Sequence, residues 1–129
     1  MRLEVLRRYR AQAEESVRLE LAEVDARLVA MARERAQRRQ AADAQAAAYL
    51  ASTRRGGDAV ELAMAYQAWE GLEHEVKRAE SLLVRTAEER ERKQTELAIA
   101  IRERKQMDML AQRQARQRER IARRGEQRE

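Results

Sequence analysis

The sequence predicts an all-α fold: two long helices in an antiparallel coiled-coil hairpin, with a basic helical overhang at the carboxyl end. Three observations predict it. The 129 residues contain no proline, and two of the four glycines stand together at Gly56-Gly57. Apolar residues recur in steps of three and four on both sides of that pair. With 3% aromatic and 40% charged residues the chain lacks the material for a globular core, so a long helical pair is the way to bury what apolar surface it has.

The first helix is expected over about residues 2–54. Val17, Leu21, Val24, Leu28 and Met31 recur as a heptad seam requires. Leu3, Leu6 and Ala13 extend this seam toward the amino end with one extra step of four, a stutter that would loosen the supercoil locally.

The corner is expected at residues 55–58. Gly56 is free to take the left-handed conformation that ends a helix, and Asp58 with Glu61 three positions on forms a capping box for the next one. The second helix is expected over about 59–124. Its seam reads Leu62, Ala65, Trp69, Leu72, Val76, Ala79, Leu83, Thr86, then Leu97, Ala100, Met107, Ala111 and Ile121, with Arg90, Lys93 and Arg104 interrupting. Gly71 lies within this helix as a flaw on its outer face.

Folding back at Gly56-Gly57 pairs residues whose numbers add to 113. That arithmetic sets Lys93 beside Glu20, Arg90 beside Glu23, Arg104 beside the ring of Tyr9, Met107 by Leu6, Leu110 by Leu3, and Trp69 among the alanines around Ala44. On the exposed faces, Glu precedes Arg or Lys by four at Glu14/Arg18, Glu23/Arg27, Glu34/Arg38, Glu73/Lys77, Glu88/Arg92 and Glu89/Lys93, each pair adding roughly 0.2–0.5 kcal/mol to helix stability. At a rise of about 1.5 Å per residue the first arm would extend roughly 80 Å and the second roughly 100 Å. The whole of residues 1–129 is thus expected to form a single hairpin, with a basic tail at 112–129.

The chain offers little chemistry. It has no cysteine, so it lacks disulfides and thiolate ligands, which suits a reducing compartment such as the cytoplasm. His74 is the one histidine, and Glu70 beside it on the same helical face is too small a set for a metal. No serine has a base nearby, and the glycine pair lacks the spacing and the lysine of a phosphate loop. The expectation is therefore a non-enzyme without cofactor or metal. The opening MRLEVLRRYRAQAEE lacks the apolar run of a leader, and no apolar run approaches the roughly 20 residues that span a bilayer.

What remains is surface. Near the corner Tyr49, Leu50, Val60, Leu62, Met64 and Tyr66, followed by Trp69, Leu72 and Val76, supply more apolar area than a two-helix seam covers. From Gln112 to Glu129 the tail carries seven arginines against three glutamates, a surplus of four in a chain whose net charge is +5. Such a cluster attracts an acidic protein surface or nucleic acid. Glutamate and glutamine interleaved with the arginines, and the lack of base-stacking aromatics among them, speak against nucleic acid.

In MRLEVLRRYRAQAEESVRLELAEVDARL, AYQAWEGLEHEV and RERKQMDMLAQRQARQRERIARR, taken in this order around a central corner, the chain resembles the FliJ-type stalk proteins of flagellar protein export and their kin in virulence-associated type III secretion. The resemblance covers nearly the whole chain. It implies a hairpin that inserts into a hexameric export ATPase and contacts the export gate and export chaperones, cytoplasmic and peripheral at the inner membrane. Carried over by position, Trp69 in YQAW and Tyr49 match aromatics of the gate-contacting region, where Tyr66, Leu72 and Val76 join them. The ATPase contact falls on the termini end, with Leu3, Leu6, Met107 and Leu110 and the tail arginines Arg113, Arg116, Arg120 and Arg123. RRGEQRE stops earlier than many tails of the family. The expected species is a marginally stable monomer with weak self-association; the rival readings are a basic coiled coil that binds nucleic acid and a dimerising scaffold of four helices.

Overall fold

Strong helix formers without proline carry the backbone through two helices, α1 (Arg2–Arg54) and α2 (Ala59–Arg128), in a computed structural model that describes residues 2–128. The two helices pack against each other as an all-α hairpin with no strand among the described residues. Packing within it falls into two units. The corner unit is Val24–Arg90; the terminal unit joins the chain up to Glu23 with the chain from Glu91 onward.

α1 ends in a Schellman turn. The Gly57 N–H donates to the Ser52 carbonyl at 3.0 Å and the Gly56 N–H to the Thr53 carbonyl at 3.2 Å, which satisfies carbonyls that the helix end would leave orphaned. Gly56 makes this possible at φ +70°, the only positive φ among the described residues. α2 then starts on Asp58, whose carboxylate accepts from the Val60 N–H at 3.4 Å.

In the corner unit two seven-residue rows on each helix are turned from solvent. On α1 they are Val24, Met31, Arg38, Gln45 and Ser52, with Leu28, Arg35, Ala42 and Tyr49 between them. On α2 they are Leu62, Trp69, Val76, Leu83 and Arg90, with Ala65, Leu72, Ala79 and Thr86 between. Val24 and Val76 are the largest side chains buried almost completely. The Thr86 hydroxyl enters the seam satisfied by the Leu82 carbonyl at 2.8 Å, with the Met31 sulfur 3.2 Å away.

The terminal unit departs from the expected seam on α1. Arg10 and Glu14 enter the seam, while Ala13 stays half-buried beside Glu14 and Leu6 lies at the flank, 49% exposed. The steps through Leu3, Arg10, Glu14, Val17 and Leu21 then fit a plain heptad, so the stutter is absent. The charged pair is tolerated because each head finds a partner across the seam: Arg10 bonds Glu103 at 2.6 Å, and Arg104 bonds Glu14 at 2.5 Å. Arg104 therefore has a carboxylate partner, where the fold-back arithmetic offers it only the Tyr9 ring.

Lys93–Glu20, Arg10–Glu103 and Arg38–Glu75 all obey that arithmetic. Arg90 reaches Asp25, two positions past Glu23, because long side chains lean along the helix to a carboxylate within reach. Ile121, expected in the seam, is 62% exposed, since the arithmetic leaves α1 no residue to set opposite it.

Gly71 faces outward, and a Cβ added there meets nothing within 4 Å. Gly71→Ala is expected to raise stability by about 1 kcal/mol through helix propensity alone, read as a higher midpoint in urea denaturation followed by circular dichroism. A loss of stability would place a neighbour against this face.

Candidate functional site

In the corner unit the three aromatics meet. Tyr49 and Tyr66 lie edge to face with centroids 6.0 Å apart, and Tyr66 and Trp69 are tilted at 5.6 Å. Leu50, Val60 and Met64 are exposed nearby in sequence, so the surplus of apolar surface expected at the corner is present. Of the five residues expected to meet a gate, Tyr49, Tyr66 and Trp69 form this aromatic cluster. Leu72 is half-buried in the seam and Val76 is 2% exposed. Val76 is thereby removed from any contact surface: it is core, because the heptad that ends on the corner side runs straight through it.

In the terminal unit the expected residues separate in the same way. Leu3 and Met107 are half-buried seam residues, whereas Leu6 and Leu110 are exposed. Leu6 lies two heptads before Glu20, and Leu110 one heptad after Glu103; both glutamates bond across the seam, to Lys93 and Arg10. In an antiparallel pair these rows flank the seam on one side, so Leu6 and Leu110 share a face. Val5, Tyr9, Ile99 and Met109 are exposed as well and widen the apolar surface of this unit beyond what sequence reasoning chose. Heptad lettering from the correct seam would have found them.

Beyond Ala111 every described residue of α2 is exposed, and the helix continues through Arg128. Arg113, Arg116, Arg120 and Arg123, spaced by three, four and three, lie on one helical face. None of the four makes an ion pair among the described residues.

Elsewhere the charges are largely committed across the seam. Glu73, Glu75, Glu80 and Glu89 of α2 pair with Arg39, Arg38, Arg35 and Arg27 of α1. The intrahelical pairs Glu14–Arg18 and Glu34–Arg38 also close, at 2.7 and 2.9 Å. Arg7 holds the Asp108 carboxyl below its ordinary range, with help from Arg104. Arg39 does the same for Glu73, and the Trp69 side chain adds a smaller hydrogen bond. Glu20, helped by Glu96, raises Lys93.

These shifts set a pH window. A carboxylate held low stabilises the fold above the ordinary range near pH 4 and loses that contribution as pH falls through its lowered value. Lys93 stabilises below about pH 10.4 and loses its contribution as pH rises through the raised value. The melting temperature is thus expected to be flat between these limits and to drop on the acid side. Asp108→Asn should flatten the acid limb; an unchanged limb would mean that Asp108 is not held by Arg7.

His74 is exposed on the outer face of α2. Among the described residues no group of His, Asp or Glu is arranged to hold a metal ion. Among the described residues no helix is long and apolar enough to cross a membrane. Compared with protein-family models, curated proteins and solved structures, the chain finds no match in any of the three.

Proposed function

We propose that this chain is a non-enzymatic stalk of the FliJ type in flagellar or related type III protein export. It docks on a hexameric export ATPase through the terminal unit and on the export gate and chaperones through the corner unit. The observation that carries this reading is the basic extension of α2: a helix with Arg113, Arg116, Arg120 and Arg123 on one face, unpaired, running on beside the exposed Leu6 and Leu110. A long helix of this kind suits the interior of a ring with acidic walls. Val5, Leu6, Met109 and Leu110 supply apolar contact next to the charge. The aromatic cluster of Tyr49, Tyr66 and Trp69 suits a second protein partner, since such residues dominate interface energetics.

Catalysis in this reading belongs to the ATPase. A helix that touches the subunits of a ring unequally binds one nucleotide state better than another and shifts the population toward it. The protein works at the cytoplasmic side of the inner membrane, held there by the export apparatus, as a monomer without cofactor.

The purified chain is expected to raise turnover and hexamer assembly of the export ATPase from the same cell. Replacing Arg113, Arg116, Arg120 and Arg123 together by alanine should weaken the effect about tenfold, as four exposed ion pairs of a few tenths of a kcal/mol each would. Unaltered turnover and assembly at concentrations where binding is demonstrated would overturn the proposal. A gel shift with duplex DNA that outcompetes the ATPase would replace it with nucleic-acid binding.

A further inference from the structure

We propose that a groove along one side of the corner unit docks a helix of a partner protein, one carrying an apolar row between acidic flanks. The groove shares no lining residue with the aromatic cluster, and the inference stands on packing and charge alone.

Arg38 defines the side. It bonds Glu34 of its own helix at 2.9 Å and Glu75 of α2 at 2.8 Å, so these two glutamates stand on the same flank of the seam. Between them opens a cleft of about 250 Å³ floored by Met31, Ala79 and Leu82. That is below the roughly 300–1,000 Å³ of ordinary small-molecule sites, and its size suits an inserted side chain. The floor is apolar, and Leu82 remains 49% exposed. Small Ala79 opposite flexible Met31 leaves the opening.

The rim is basic for a reason that net charge conceals. Of the seven glutamates that α2 carries in this unit, Glu73, Glu75, Glu80 and Glu89 are drawn across the seam to arginines of α1. Arg78 and Arg85, one heptad apart on the outer face of α2, keep no ion pair among the described residues, and neither does Arg33 of α1. All three are exposed. Arg78 lines the cleft itself, Arg33 lines the depression continuous with it through Glu34 and Arg38, and Arg85 lines the one adjoining Arg78 and Leu82.

An apolar floor parallel to two helices, bordered by unmatched cations, complements an amphipathic helix whose leucine row enters the cleft and whose carboxylates meet Arg33, Arg78 and Arg85. Nucleic acid is disfavoured, because no Tyr or Trp lines the groove to stack on a base and the carboxylates of Glu34 and Glu75 stand within it.

The probe is a synthetic fluorescein-labelled amphipathic helix with leucine in one row and glutamate on both flanks. It is titrated by anisotropy against the full chain bearing Arg113, Arg116, Arg120 and Arg123→Gln, so that the tail makes no contribution. Saturable binding in the micromolar range, roughly, is expected, with affinity falling as salt rises. Joint replacement Arg33→Glu, Arg78→Glu and Arg85→Glu should weaken it about tenfold or more, and Leu82→Ser several-fold, with unchanged circular dichroism. Both sets lie outside the buried seam. Three outcomes overturn the proposal: an equally tight complex with a lysine-flanked peptide, affinity indifferent to the triple replacement, or displacement of the peptide by an oligonucleotide at comparable concentration.

Discussion

Replacing Glu14 by alanine is expected to destabilise the hairpin by about 2–3 kcal/mol, far more than any exposed glutamate replaced in the same way. Its side chain is only 6% exposed, and it accepts from Arg104 at 2.5 Å while pairing with Arg18 at 2.7 Å. Alanine removes the carboxylate and leaves the Arg104 head in the seam with the Asp108 carboxylate 2.9 Å away. The companion experiment is Glu14→Leu with Arg104→Leu. Taking out both charges restores an ordinary apolar layer and should recover most of the loss or exceed the parent, since well-packed apolar residues match or surpass a buried ion pair. Urea midpoints at neutral pH measure both. A Glu14→Ala midpoint no lower than that of Glu15→Ala, its exposed neighbour, would remove Glu14 from the seam and restore the expected stutter.

Val76→Ala is expected to cost about 2 kcal/mol, from the two lost methyl-sized groups and the cavity they leave. The buried hydrophobic residues are Val24, Ala42, Val76, Ala79 and Ala100, and three of these are alanine. Val24 and Val76 are therefore the substantial apolar anchors of a thin core, and losing one is serious in a domain of ordinary marginal stability. Val84→Ala, at a position 58% exposed, is the control and should lie within about 0.5 kcal/mol of the parent. Equal midpoints for the two variants would mean that Val76 faces solvent and is open to a partner after all.

These two residues also show how far a single chain can be read. Val76 belongs to a seam that the spacing of α2 displays from Leu62 to Ala111, because seven-residue repetition over many turns outweighs the few charged interruptions. Glu14 was missed because hydrophobicity favours Leu6 and Ala13 locally, and only the pairing across the seam makes a glutamate acceptable inside. The same holds for partners. Glu73 with Lys77 and Glu89 with Lys93 have good intrahelical spacing, yet Glu73 meets Arg39, Glu89 meets Arg27 and Lys93 meets Glu20. The basic rim of Arg33, Arg78 and Arg85 follows from those choices and was invisible before them. At the sites, the aromatic cluster and the arginine row were legible, while the separation of Leu6 from Leu3, and of Tyr66 from Val76, required the seam.

By itself the sequence determined two helices, the end of the first, the start of the second and the corner between them, whereas α2 runs on to Arg128, past the expected residue 124. Helix propensity, the absence of proline and the left-handed preference of Gly56 act within a few residues of where they are written. Only tertiary structure decided which charged residues enter the seam, which arginine each glutamate holds and which apolar residues stay exposed. Those outcomes depend on the opposite helix, where a long charged side chain can bury its stem once its head finds a partner, and no local pattern carries that information.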